Sequence, residues 1–291
     1  MNVSIVTGSN SGIGYATALH LARNGFKVYA TMRTPDKGTA IREAAALEQL
    51  PLEIMQLDCT DNASMESAIA AVLDAEEHID VLVNNAGIGG GAPLEFVQEK
   101  ELRAIMETNF FGAYKLMQLV IPGMRTRGSG AIVNITSVAG FFGNPSQSAY
   151  NASKFALEGA SHALAGEVGQ HGIRVACVEP GVVATPIFDK APDASAFMQP
   201  PFPYHNNVRR LMALFESGLK NPATPQDVAD AVYEAITSDD PKQQYRVGED
   251  ARALWEAQRT VPIEEFTRMN GLEDDQAYFD TLRTFGLDVQ T

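Results

Sequence analysis

Short runs of Val, Ile and Leu recur along the chain between longer stretches in which apolar residues return at helical spacing. That alternation is the pattern of βαβ units and a parallel sheet. Seven runs read as strands: Val3 to Thr7, Lys27 to Thr31, Glu53 to Leu57, Val81 to Asn84, Ala131 to Thr136, Arg174 to Glu179 and Gln244 to Val247. Several are apolar at every position, as strands covered by helices on both faces require. The prediction is an α/β fold, a doubly wound seven-stranded parallel sheet with helices on both faces.

The intervening stretches carry recognisable helix ends. One helix runs from about Ile13 and stops at Gly25, an Ala-rich one spans about Thr39 to Gln49, and a third follows Asp61 and Asn62, both suitable N-caps. Two long helices are predicted near Lys100 to Arg125 and Ala149 to Gln170. From Pro186 to Tyr204 the chain is dense in Pro and aromatics, poor material for a helix or a central strand. Val208, Leu211, Met212 and Phe215 then recur at i, i+3, i+4 and i+7, an amphipathic helix resting on something apolar. The chain reads as a single domain over 1–291, with a lid insertion at 186–220 and a C-terminal extension at 249–291. The extension and the strand before it, Pro241 to Thr291, hold ten carboxylates against six cations, fit to cover a surface or to close a pocket.

Composition narrows the function. The 291 residues carry 22 Lys+Arg against 36 Asp+Glu, a formal charge of −14, which repels a phosphate backbone and leaves no basic stripe for nucleic acid. No apolar run reaches the length of a membrane span, and the first residues enter a strand without a leader-like segment, so a cytoplasmic protein is expected. Cys59 and Cys177 stand far apart without Cys/His ligand spacing, so neither a disulfide framework nor a zinc site is expected.

The clearest chemical signal lies between the first strand and the first helix, at Thr7-Gly8-Ser9-Asn10-Ser11-Gly12-Ile13-Gly14. There Gly8 permits a tight turn, Gly12 and Gly14 let backbone approach a pyrophosphate, and the helix N-terminus faces the phosphates. In a dinucleotide fold an acidic residue at the end of the second strand accepts the ribose hydroxyls. Here the first ionisable group is Arg33, whose guanidinium pairs with a 2′-phosphate, so NADP(H) is favoured over NAD(H), which stays possible with Asp36 nearby.

With that turn, the chain resembles the classical short-chain dehydrogenase/reductase family, in its steroid and retinoid dehydrogenase-like branch. The same order continues with Asp58 and Cys59 after strand three and Asn84-Asn85-Ala86-Gly87 closing strand four. Asn109 follows in the next helix, Ser137 after strand five, then Tyr150-Asn151-Ala152-Ser153-Lys154 and Pro180-Gly181-Val182-Val183-Ala184-Thr185. The resemblance implies a Rossmann-like fold and a catalytic tetrad of Asn109, Ser137, Tyr150 and Lys154. It implies cofactor contacts from Gly8, Asn10, Ser11, Gly12, Ile13, Gly14, Arg33, Asp58, Cys59, Asn85, Ala86, Gly87, Tyr150, Lys154, Pro180, Gly181, Val183 and Thr185, with no metal.

Tyr150 and Lys154 stand at i and i+4 and so share one helical face. A neighbouring ammonium, helped by an oxidised nicotinamide, lowers a phenol's pKa from about 10 and suits it to acid–base work. The family assigns Ser137 to hold the substrate oxygen and Asn109 to anchor a water beside Lys154. The reading is an NADP(H)-dependent oxidoreductase that interconverts a hydroxyl and a carbonyl by hydride transfer, with a small-molecule alcohol or ketone as substrate. Phe141, Phe142, Phe188, Phe197, Met198, Phe202, Tyr204, Met212 and Phe215 would make an apolar pocket for it. The family is usually homodimeric or homotetrameric. The alternatives are a non-catalytic NADP-binding sensor or scaffold and, within enzymes, an epimerase or dehydratase using a transient hydride.

Overall fold

The computed structural model describes residues 1–185 and 194–289, so the first part of the expected lid, 186–193, lies outside the described residues. Seven strands form one parallel sheet in the order β3-β2-β1-β4-β5-β6-β7: β1 (Val3–Thr7), β2 (Lys27–Met32), β3 (Leu52–Gln56), β4 (Val81–Asn84), β5 (Gly130–Ile135), β6 (Ile173–Pro180) and β7 (Gln244–Val247). The chain winds outward from β1 to β3, crosses back to β4, and winds the other way. That reversal leaves a crevice beyond the carboxyl ends of β1 and β4, where open α/β sheets bind ligands. The register pairs Ile5 with Leu82 and Val6 with Val83, so the two strands end side by side.

The period-2 geometry of the strands divides their side chains between two apolar layers. Val6, Val28, Ala30, Val83, Val133 and Val178 face α1 (Gly12–Arg23), α2 (Thr39–Leu47) and α8 (Pro225–Thr237). Their alternates Ile5, Tyr29, Leu82, Ile132 and Val175 face α3 (Asn62–Glu76), α5 (Gly112–Arg127) and α6 (Ser148–Val168). Local chemistry sets the helix starts. Asp61 caps α3 by accepting from the Ala63 N–H at 2.9 Å, and Thr224 with Asp227 forms a full capping box on α8.

The long helix expected after β4 proves to be two. α4 (Glu99–Met106) passes through a π turn at Glu107–Phe111 before α5 begins, and Asn109 lies inside that turn. Widened turns of this kind occur mostly at functional sites.

Beyond β6, α7 (His205–Gly218) is the amphipathic helix that the spacing predicted, with Val208 and Leu211 buried. Three helices that the sequence reading did not anticipate complete the chain: α9 (Glu249–Thr260), α10 (Ile263–Asn270) and α11 (Asp275–Thr284). They bury Phe266, Met269, Tyr278, Phe279 and Leu282 in a third cluster, with Ala213 and Leu214 of α7 packed on it. Asp275 ties the two parts together, accepting from Arg209 at 2.7 Å and from the buried Arg210 at 2.8 Å. No helix among the described residues is long and apolar enough to cross a membrane.

Candidate active site at the strand ends

The glycine turn is fixed to the end of β4 by a residue that the motif reading passed over. The buried Thr7 hydroxyl accepts from the backbone N–H of Asn85 at 2.9 Å and of Ala86 at 3.0 Å. Asn85 returns the contact, its side-chain amide donating to the Thr7 carbonyl at 2.8 Å. The signal in sequence was a hydroxyl residue closing an otherwise apolar strand. Gly8 has φ +69°, and a Cβ there would stand 2.9 Å from the Ala86 Cα. A Cβ on Gly14 would meet the Asn85 amide at 2.4 Å and the Gly8 carbonyl at 2.5 Å. The turn thus folds onto Asn85 and Ala86 and leaves the α1 N-terminus open. Ser11, its N-cap, makes no side-chain cap hydrogen bond, and no carboxylate lies in the first turn. Free helix amides with no competing negative charge form an anion site, and a nucleotide pyrophosphate fits it. Asn10 borders that N-terminus half-buried, while Ile13 packs inward against the core.

The far end of this crevice is built by β2 and β3. Arg33 follows β2, is exposed, and makes no ion pair among the described residues. Asp58 uses one carboxylate oxygen to accept from the Thr60 N–H at 3.0 Å and the Thr60 hydroxyl at 2.8 Å, which holds the loop after β3 in shape. Cys59 is buried and its thiol is pushed up to about 12, chiefly by that burial, so it offers backbone rather than a reactive sulfur.

The four residues of the expected tetrad come from three elements and meet. α6 presents Tyr150 and Lys154 on one face, with the Lys154 Nζ 5.7 Å from the Tyr150 ring centroid. Lys154 is buried and donates to the Ile135 carbonyl at the end of β5, at 2.8 Å. Ser137 follows two residues later, accepts from the Ala139 N–H at 3.1 Å, and hydrogen-bonds the Tyr150 phenol. Asn109 is held by three hydrogen bonds of its side chain: it accepts from the Ile88 N–H at 2.8 Å and donates to the Ile88 carbonyl and Ser153 hydroxyl at 3.0 Å each. Gly87 stands between these groups and the glycine turn, since a Cβ on it would lie 3.4 Å from the Asn109 Oδ1 and 3.8 Å from the Lys154 Nζ.

The electrostatics depart from the expectation in one respect. Burial pushes the Tyr150 phenol above its ordinary value, and the Ser137 hydrogen bond opposes that rise without cancelling it. Lys154 is brought down to about 8 by burial, with the Glu158 carboxylate pulling the other way. The free site therefore holds a protonated phenol beside an ammonium that is charged at neutral pH.

The segment after β6 is held from the C-terminal side. A Cβ on Gly181 would lie 2.1 Å from an Asp250 carboxylate oxygen, and the other oxygen accepts from the Val182 N–H at 2.6 Å. Gly181 thus makes room for Asp250 of α9, and the Val183 side chain is buried in the core, so each can offer a ligand only its backbone. Pro180 is buried at the end of β6 and Thr185 is half-buried.

Behind Lys154 lies a buried polar group that the sequence reading missed. Glu158, one helical turn beyond Lys154, is 4% exposed, and Glu179 on β6 is 0% exposed. Glu179 is pushed well up by burial and by Glu158. Its Oε2 lies 3.0 Å from the Nε of Arg246, whose guanidinium stacks on Trp255 at 3.6 Å. The i, i+4, i+8 spacing of 150, 154 and 158 was the available signal.

The aromatics divide into two groups. Phe141 packs on Trp255 with ring centroids 5.3 Å apart and Phe142 on Phe266 at 5.0 Å, so both are walls against the C-terminal helices rather than an open pocket lining. Phe197, Phe202 and Tyr204 instead gather on Phe96, and the Tyr204 hydroxyl donates to Glu95 at 2.8 Å. The segment after β4 and the segment after β6 meet in this cluster. Met212 and Phe215 are half-buried on α7, and Phe188 lies outside the described residues.

Comparison with known proteins agrees with this geometry. Residues 2–196 match the family model for short chain dehydrogenase. The chain is 38% identical over 240 residues to the uncharacterized oxidoreductase YusZ of Bacillus subtilis, covering 81% of this chain and 84% of that one. It is 33% identical to the 3-ketodihydrosphingosine reductase of Bacteroides thetaiotaomicron over 84% of this chain and 87% of that one. Human 17-beta-hydroxysteroid dehydrogenase type 1 is 33% identical over 84% of this chain and 76% of its own. Among solved structures, a short-chain dehydrogenase from Streptomyces avermitilis superposes with TM-score 0.80 at 32% identity, covering 93% of this chain and 96% of that one. A single-substitution variant of actinorhodin polyketide ketoreductase with NADPH superposes with TM-score 0.74 at 27% identity, over 84% and 95%.

Proposed function

Because the chain belongs to the short-chain dehydrogenase family and is an oxidoreductase of it, we propose that it reduces a ketone on a bulky apolar molecule with NADPH. Tyr150 is the proton donor in this reading. The observation that carries it is the Tyr150 phenol hydrogen-bonded to Ser137 beside the buried Lys154 side chain, with Gly87 next to Lys154 and Asn109.

The chain's own residues divide the work. Gly8, Gly12, Gly14 and the α1 N-terminus take the pyrophosphate, Asp58 has a carboxylate oxygen left for the adenine side, and Arg33 takes the 2′-phosphate. The bound nicotinamide supplies the hydride. Ser137 and Tyr150 donate hydrogen bonds to the substrate oxygen, which polarises the carbonyl, and the Tyr150 proton passes to that oxygen as it becomes an alcohol. Lys154 then faces a phenolate, and its positive charge stabilises it.

The aromatic cluster of Phe96, Phe197, Phe202 and Tyr204 suits a large apolar substrate. Relatives named for a ketosphinganine and for a steroid fit the same size class. Phe111 of the π turn, Tyr114 of α5 and Phe155 of α6 are exposed at 50%, 44% and 45%, which supports a homodimer or homotetramer formed through those helices. Two free buried thiols suit a cytoplasmic setting. The test is a panel of steroid ketones, long-chain ketones, retinals and short polar ketones, followed by loss of NADPH absorbance. Turnover confined to the apolar members is expected, and turnover only of the short polar ketones would overturn the substrate class.

A further inference from the structure

We infer that Glu158, His162 and Cys177 form a binding site for a divalent cation of the zinc class, one helical turn along α6 from Lys154. Glu158 and His162 stand at i, i+4 on α6, with the His162 Nε2 3.0 Å from the Glu158 Oε1. Cys177 reaches them from β6, and one ligand atom from each residue lies within 4.8 Å of the others. Thiolate, imidazole and carboxylate together are the donor set that zinc takes. A zinc ion bonded to such ligands at about 2.0–2.3 Å holds them about 3.5 Å apart, so a closure of about 1 Å completes the site.

A second observation points to a missing cation. The Glu158 Oε2 is buried and has no hydrogen-bond partner among the described residues, and beside it Glu179 is paired with Arg246 at 3.0 Å. Glu179 is two residues from Cys177 on β6 and so faces the same side of the sheet. An unsatisfied buried carboxylate oxygen is costly, and a cation beside it removes that cost. The route in is short, because the His162 side chain is 44% exposed while Glu158 behind it is not. Binding displaces the Cys177 thiol proton, which passes to buffer as the sulfur–metal bond forms.

Cobalt(II), a spectroscopic stand-in for zinc, tests this on the full chain without reference to any enzymatic reading. Titration is expected to give one equivalent bound, with the near-ultraviolet thiolate-to-cobalt charge-transfer band. Cys177→Ala should lose the band, Cys59→Ala should keep it, and zinc should displace the cobalt. His162→Ala, a surface change that leaves the fold in place, should weaken binding at least about tenfold. A wild-type protein with no such band, or a band that survives in Cys177→Ala or is unchanged in His162→Ala, would overturn the site.

Discussion

Lys154 donates to the carbonyl of Ile135 at 2.8 Å, which anchors the Tyr150–Lys154 face of α6 to the last residue of β5. Ser137 lies two residues beyond that carbonyl, so one hydrogen bond sets the distance between the lysine and the serine loop. It also holds a cation where water cannot reach it, and burial brings Lys154 to about 8.

Stability should carry that signature. An unfolded lysine titrates near 10.4. Between about 8 and that value the unfolded chain binds a proton that the native state has released, so this group makes stability rise with pH; below about 8 its contribution is flat. Urea midpoints of the wild type and Lys154→Met at pH 7.5 and 9.5 isolate the effect. The wild type should gain about 2 kcal/mol more than the variant across that interval. Equal gains would show that Lys154 is not depressed.

Gly14→Ala should damage the nucleotide turn. Its added carbon falls 2.4 Å from the Asn85 amide and 2.5 Å from the Gly8 carbonyl, and the latter is backbone that cannot swing aside. A loss of about 1–3 kcal/mol in stability is expected, with NADPH affinity reduced at least tenfold by fluorescence titration. Unchanged affinity would place the pyrophosphate elsewhere.

Arg33 is the residue proposed to carry the cofactor preference. With no ion pair of its own among the described residues, its removal should strand no partner. Arg33→Ala should raise the NADPH dissociation constant by about tenfold or more and leave that of NADH within a factor of two or three. Equal loss for both nucleotides would assign the 2′-phosphate to another residue.

Asp275 holds α7 to α11 through two arginines. Its change to Ala would leave the buried Arg210 without its carboxylate, at a cost of about 1–3 kcal/mol. Proteolysis should then cut first near α7 and α11 while the sheet persists. A cleavage pattern like that of the wild type would show that this pair does not hold the cap.

The sheet was legible because strands covered on both faces must be apolar throughout, and each of the seven runs falls within one residue of a strand edge. The four residues proposed as a tetrad were picked out through their spacing and order, and the structure brings them together. The rest depended on partners far apart in sequence. Glu158 and Glu179 become a pair only when α6 packs on β6, and Phe141 becomes a wall only when Trp255 arrives from α9. The helices α9 to α11 were missed because their cluster closes on itself and on α7, in a stretch whose charges read as a solvated tail.

The central claim is that Tyr150 supplies the proton. Tyr150→Phe removes one oxygen and keeps the ring, so NADPH should bind with a dissociation constant within about threefold of wild type while single-turnover reduction falls by at least about a thousandfold. Reduction within tenfold of wild type, with NADPH bound normally, would contradict it.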